Sequence, residues 1–222
     1  MTRLAVFDLD HTLLSGDSDV LWCDFLLVRG ELDRAAFAAR NDEVELAYRA
    51  GAITAQAFTE FYLSTLAGRA LAALTSLREV FMRERIVPRI PASARALVET
   101  HRRAGDLLVL STATNRFLVE LTASELGFEH LIATEPELEG GIFTGRTVGL
   151  LNMREGKPVR LGDWLAGSGR PATMLADATA YSDSINDLPL LQAVGRPVAV
   201  DPDAKLLVHA RANGWRVMRL ER

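Results

Sequence analysis

The chain has 222 residues, 49% of them hydrophobic and 24% charged, with a net charge of −4 and a pI near 5.6. That composition excludes a disordered chain, and the length suits one domain or a core domain with a smaller insertion. No basic block marks a nucleic-acid binder, and the apolar runs are too short and too often broken by Arg, Glu or Gly to span a membrane.

The first residues lack a basic region followed by an apolar one, so no signal peptide is expected. One cysteine, Cys23, cannot form an internal disulfide. Both points favour the cytoplasm. Lys157 and Lys205 are the only lysines in an Arg-rich chain, which makes each worth a question.

In chain order, "LAVF" (Leu4 to Phe7) reads as a buried strand. From Ser18 to about Arg85 the apolar residues recur at three-and-four spacing, which predicts helix. Gly30, Gly51 and Gly68 divide that stretch into four helices. Ser93 to Arg103 is a further helix, and "LLVL" (Leu107 to Leu110) a second strand. Asn115 to Leu126 is helical. "HLIAT" (His130 to Thr134) is a third strand, and "EPELEGGIFTGRTVG" a hairpin turned at Gly140-Gly141. Pro158 to Ala166 is helical, and "TMLA" (Thr173 to Ala176) is a fourth strand. Ile185 to Val194 is a helix, "PVAVD" a fifth strand, Asp203 to Asn213 a helix, and "WRVMRL" an edge strand.

Strands alternating with helices imply an α/β fold with a Rossmann-like parallel sheet. The helical block between the first two strands is too long for a simple crossover and reads as an inserted cap. The expected division is a core of residues 1–15 and 86–222 and a cap of residues 16–85. Gly16 and "RIVPRIP" (Arg85 to Pro91) are candidate hinges.

Open parallel sheets bind ligands at the carboxyl ends of their strands. Strand one ends in Asp8-Leu9-Asp10, whose spacing puts both carboxylates on one side if the chain is still extended. Strand two ends in Ser111-Thr112. The predicted fourth strand ends in Asp177, ahead of Asp183 and Asp187, and Lys157 opens a helix. Burying carboxylates together is costly unless a cation joins them. A hard cation such as Mg²⁺ takes oxygen ligands of this type, and a hydroxyl and a lysine beside it suit a phosphate.

Four segments in this order resemble the signatures of haloacid-dehalogenase-superfamily phosphatases. They are "DLDHT" (Asp8 to Thr12), "LLVLST" (Leu107 to Thr112), "EGKPVRL" around Lys157, and "SDSIND" (Ser182 to Asp187). The branch they resemble, subfamily IB, includes the phosphoserine phosphatases and has a helical cap of the C1 type. The resemblance implies Mg²⁺ as cofactor and a small phosphorylated metabolite as substrate, handled by a monomer or homodimer. It makes Asp8 the nucleophile that forms an aspartyl-phosphate. It makes Asp10 the acid and then the base, and Thr112 and Lys157 the phosphate ligands. Asp8, Asp183 and the Asp10 backbone carbonyl would hold the metal, with Asp187 in support. Ser182 departs from the family, which usually has Gly there.

Bland readings stand beside these. Asp8 and Asp10 could form a turn or cap pair, Lys157 could be a solvated lysine, and Asp183 could cap a helix. Asp17 occupies the position of the acidic residue that meets the substrate amine in phosphoserine phosphatases; it could equally cap the first cap helix. Thr65 stands where those enzymes carry an Arg for the substrate carboxylate. That departure favours an amino-alcohol phosphate. "STATN" and the opening "FDLDHTLLSGDSD" resemble a bacterial subgroup that includes histidinol-phosphate phosphatases. The alternatives are a phosphoserine phosphatase, a phosphotransferase on the same fold, and a non-catalytic binding protein. A P-loop kinase fits less well still, because no GxxxxGK[ST] is present and Pro158 follows Lys157.

Overall fold

The computed structural model of the chain describes residues 2–222. Its centre is β1 (Leu4–Phe7), a four-residue strand buried along its whole length. The side chains alternate between two apolar layers. Ala5 and Phe7 enter one hydrophobic cluster and Leu4 and Val6 the other. A strand covered on both faces must be apolar at every position, and this is why "LAVF" shows no alternation in sequence.

The elements after β1 run in the expected order. Four helices follow: α1 (Ser18–Val28), α2 (Arg34–Arg49), α3 (Ala55–Leu63) and α4 (Leu71–Phe81). Asp17, Asp33 and Thr54 cap the first three with side-chain oxygens, which satisfies otherwise orphaned amides. A π turn (Met82–Ile86) and a 3₁₀ turn (Val87–Arg89) lead into α5 (Ala92–Arg103). Then come β2 (Leu107–Asn115), α6 (Arg116–Glu125), β3 (His130–Glu139), β4 (Ile142–Val148) and α7 (Gly156–Gly167). The chain closes with β5 (Thr179–Ser182), α8 (Leu188–Gln192), β6 (Arg196–Val200), α9 (Ala204–Ala212) and β7 (Arg216–Met218).

The strands form one seven-stranded sheet in the order β4-β3-β2-β1-β5-β6-β7. Every pairing is parallel except β3 with β4, whose hairpin turns at Gly140-Gly141. The chain winds outward from β1 to β3 and then returns past β1 to β5. The order therefore reverses between β1 and β5, and the crevice at their carboxyl ends is the natural ligand site.

One expected strand is corrected. Thr173 to Ala176 lies in a 3₁₀ segment (Ala172–Asp177), and the fourth parallel strand is Thr179–Ser182. A short apolar run does not by itself distinguish a strand from a helical turn. Pairing decides it: Thr179, Ala180 and Tyr181 align with Ala5, Val6 and Phe7. Asp177 is consequently no strand tip; it is exposed and lies 3.6 Å from Arg196.

The helical insertion is tied back to the sheet in two ways. The β3–β4 ribbon bonds to the turn before α4, with Gly68 N–H to Phe143 O at 2.8 Å and Phe143 N–H to Arg69 O at 3.0 Å. Gly145, at φ +83°, lets this ribbon close on Ala67, where a Cβ would stand 2.9 Å from that methyl. Buried aromatics supply the second tie. Trp22 of α1 packs edge-on against Phe81 of α4 and Phe117 of α6, with centroids 5.1 and 6.3 Å away. The two chain crossings into the insertion are adjacent, since Ser15 N–H donates to Arg89 O at 2.8 Å.

Candidate active site

Asp8 extends β1 by one residue, and its N–H donates to Tyr181 O at 3.0 Å. The chain then turns tightly: Thr12, Leu13 and Leu14 all donate their N–H groups to Leu9 O. His11 takes a left-handed conformation at φ 56° to make the turn. This loop aims Asp8 and Asp10 into a cleft of about 280 Å³.

Lys157 is the hub of the floor. Its Nζ donates to Asp8 Oδ1 at 2.7 Å and to Asp187 Oδ2 at 2.6 Å, and all three groups are buried. The neighbouring Gly156 is required by space, because a Cβ there would overlap the Leu151 carbonyl oxygen. Ser182 explains its own departure from glycine: its hydroxyl donates to Asp187 Oδ2 at 2.8 Å and steadies that carboxylate. Burial lowers the affinity of Lys157 for its proton, yet the two carboxylates outweigh it and hold the ammonium charged.

Asp8 and Asp183 meet through Thr12. The Thr12 hydroxyl is 3.0 Å from Asp8 Oδ2 and 3.0 Å from Asp183 Oδ1, and it accepts the Asp183 N–H at 3.1 Å. One hydroxyl hydrogen cannot serve two carboxylates at once. Burial, with Asp8 beside it, pushes Asp183 up to about 8. Burial pushes Asp8 up to about 6 against the pull of Lys157. Such a pair calls for more positive charge than Lys157 provides. Among the described residues no three His, Cys, Asp or Glu side chains gather to hold an ion. Two carboxylates suit Mg²⁺, which is commonly held by one or two of them with waters and substrate phosphate. The donor set fits that ion.

Asp10 is gripped differently. Its Oδ1 accepts from Ser18 N–H at 2.8 Å and Ser18 Oγ at 2.6 Å, and its Oδ2 from Thr114 Oγ1 at 2.7 Å. Burial, then the nearby Asp17, pushes it up to about 6 despite these donors. Thr112 is fully buried beside it. The Thr112 hydroxyl accepts Thr114 N–H at 3.2 Å and reaches toward Asp10 Oδ2 at 3.4 Å. Asp17 caps α1 through Val20 N–H at 3.0 Å and also lines the cleft.

The structure thus brings Asp8, Asp10, Asp17, Lys157, Asp183 and Asp187 into one cleft, with Thr112 just behind its wall. Sequence reasoning missed Ser18 and Thr114, which hold Asp10, and Asn152, whose buried amide ties Ser111, Thr112 and Ile132 together. Thr114 lay inside the quoted "STATN" and Ser18 inside "FDLDHTLLSGDSD"; Asn152 gave no signal. Also missed was an aromatic wall of Tyr48, Phe58 and Tyr62. Thr65 does not face the cleft, because its hydroxyl is buried between Trp22 Nε1 at 3.1 Å and Tyr62 O at 2.8 Å. A larger cavity of about 1010 Å³ opens at the amino ends of the strands, around Arg3, His101 and Trp215. It contains none of the grouped carboxylates, so the smaller cleft is the candidate.

The family model for haloacid dehalogenase-like hydrolases matches residues 5–192. The chain belongs to that family. A histidinol-phosphatase from Neisseria meningitidis is 38% identical over 222 residues, covering all of both chains. Phosphoserine phosphatase SerB1 from Mycobacterium tuberculosis is 34% identical over 98% of this chain and 70% of its own. A solved protein of unknown function from Bordetella pertussis superposes with a TM-score of 0.93 at 46% identity, covering 98% of this chain and 99% of its own. A substrate-bound phosphoserine phosphatase shares the fold, with a TM-score of 0.69 at 16% identity over 100% of this chain and 94% of its own. These relatives put this hydrolase on the phosphatase side of the family. No helix among the described residues is long and apolar enough to cross a membrane.

Proposed function

We propose that the chain is a cytoplasmic, Mg²⁺-dependent phosphomonoesterase that hydrolyses an amino-alcohol phosphate, histidinol phosphate foremost, through an aspartyl-phosphate on Asp8. One observation carries the reading: six carboxylates line the cleft and, among the described residues, Lys157 is its one lysine and no arginine lines it. A substrate carboxylate would meet no guanidinium there, whereas a substrate ammonium would meet several acids. The 38% identical histidinol-phosphatase supports the same choice. Phosphoserine, favoured by the SerB1 relative, is the second reading.

Asp8, Asp183 and the Asp10 carbonyl would hold the metal. When bound, Mg²⁺ supplies positive charge against the phosphoryl oxygens. The rest falls to the chain's own residues. Lys157 fixes Asp8 and stabilises charge on the phosphoryl group. Asp8 attacks phosphorus, and the bond from phosphorus to the ester oxygen breaks. Asp10, protonated at the start, gives its proton to the departing alcohol oxygen. It then takes a proton from water as that water attacks phosphorus, which frees Asp8 and releases phosphate. A pKa raised to about 6 allows Asp10 to do both. The Thr114 hydroxyl, which lines the cleft, is the one placed to bind a phosphoryl oxygen, with Thr112 buried behind it and accepting the Thr114 N–H. Asp187 orients Lys157.

Residues 16–85 act as a cap on a core of residues 1–15 and 86–222. Gly16, at φ +139°, and the π and 3₁₀ turns at 82–89 serve as hinges.

The test is a panel of phosphomonoesters at saturating Mg²⁺. Histidinol phosphate should exceed phosphoserine in kcat/KM, and chelation should abolish turnover until Mg²⁺ is restored. Preference for phosphoserine, or full activity in chelator, would overturn the corresponding part.

A further inference from the structure

The cap side of the cleft carries a carboxylate that the hydrolysis does not use. Asp19, in the first turn of α1, accepts only a long hydrogen bond from Asn115 Nδ2 at 3.3 Å, with the Thr114 hydroxyl nearby. Asp17 has the Val20 amide as a cap partner, but Asp19 caps nothing. Among the described residues no lysine, arginine or histidine neutralises either group. Burial, with Asp17 and Asp10 close by, raises Asp19 well above the ordinary carboxylate range. A carboxylate kept this way without a counter-ion is costly.

An independent feature faces the same space. Phe58 lines the cleft between two other rings. Tyr48 stacks on it at 4.2 Å and 20°, and Tyr62 meets it edge-on at 5.3 Å and 74°. Aromatic faces attract cations, and Tyr48 already holds one away from the cleft: the Arg154 guanidinium lies 5.2 Å from its ring centre and is not among the residues that line the cleft. The carboxylate comes from α1 and the ring wall from α2 and α3, so neither implies the other.

We propose that Asp19 and the Phe58 ring form a cation-recognition subsite selecting phosphate monoesters whose alcohol carries a protonated nitrogen on or beside a flat unsaturated ring. The subsite rests on the phosphatase reading above and adds two specificity-determining residues to it. The ring of the leaving alcohol lies against Phe58 while its N–H groups turn to Asp19. Esters with a carboxylate are rejected, since that group would enter a field already negative whose one described lysine, Lys157, is taken up by Asp8 and Asp187.

Two measurements test it together. In the first, calorimetry follows binding of histidinol, the dephosphorylated alcohol, to the wild-type protein, Asp19→Asn and Phe58→Leu. In the second, kcat/KM is compared for histidinol phosphate and propyl phosphate on the same three proteins. The expected result for Asp19→Asn is histidinol affinity weakened about tenfold or more, as for loss of a charged hydrogen bond. The ratio of the two kcat/KM values should fall by a similar factor, expressed in KM more than in kcat. Phe58→Leu should lose roughly threefold or more in each. Unchanged affinity and ratio, or an equal loss on both esters, would overturn the subsite. If Asp19→Asn loses histidinol but the wild type hydrolyses neither ester, the subsite stands and the phosphatase reading falls.

Discussion

The two sides of the cleft are built on different principles. The floor stands on strand tips, and its centre is a buried chain of short ion pairs, Asp8–Lys157–Asp187 at 2.7 and 2.6 Å. The cap side stands on helices, and of its rings Tyr48 and Phe58 are only partly covered. In α2, Val44 is buried while Leu46 is 68% exposed. Reaction chemistry needs fixed charges, so it sits where the sheet leaves no freedom. Substrate choice needs shape and can rest on elements that move. The difference separates what the enzyme does from what it does it to.

The sharpest way to break that division is at the floor. Asp8→Asn should lower turnover about 10⁴-fold or more, the scale seen for a lost covalent nucleophile. Asp10→Asn should cost about 10² to 10⁴. Steady-state kinetics reads both effects, and thermal melts should show folded proteins. A variant of Asp8 that retained turnover would move the chemistry off the floor.

Lys157→Met leaves Asp8 and Asp187 buried without their shared cation. We expect about 3–5 kcal/mol of lost stability, the usual cost of breaking a buried pair from one side, measured by urea unfolding. The same change at Lys205, exposed at the start of α9, should cost less than about 0.5 kcal/mol. Equal effects would erase the contrast between the lysines.

Gly156→Ala probes how tightly the floor is packed. Its methyl must displace the Leu151 carbonyl or the first turn of α7, costing about 1–3 kcal/mol. Turnover should fall with it, because Lys157 is the next residue.

Much of the floor was legible in sequence. Apolar runs ending in Asp, Thr or Asp-x-x-x-Asp mark strand tips, and their order alone suggested a cation and a phosphate. The misplaced fourth strand shows the limit. "TMLA" and "TAYS" are both short and apolar, and only pairing with Ala5 to Phe7 distinguishes them. The correction did not disturb the site, since Asp183 follows the true strand directly. The cap side was far less readable. Tyr48, Phe58 and Tyr62 lie on two helices and carry no spacing signature; their convergence is purely tertiary. Thr65 was read only as the place where an Arg is missing, and the structure makes it a core hydroxyl bonded to Trp22.

The smallest expected effect concerns protonation. Asp8 and Asp10, raised to about 6, and Asp183, raised to about 8, bind more protons folded than unfolded. Their contribution is fully present below the ordinary carboxylate value, and stability is lost as pH rises through the raised ones. Metal-free protein should therefore melt about a few degrees lower at pH 8 than at pH 5. Mg²⁺ should raise the melting temperature more at pH 8 than at pH 5, because the carboxylates it needs are then ionised. A Mg²⁺ effect independent of pH would place the ion elsewhere.

The most direct measurement is a rapid quench of the enzyme turning over phosphorus-labelled histidinol phosphate, followed by mass spectrometry of its peptides. The account predicts one phosphoryl group on the peptide bearing Asp8, absent from Asp8→Asn and lost again as phosphate is released. Labelled phosphate appearing in a full single turnover without any phosphorylated Asp8, at every quench time, would contradict it.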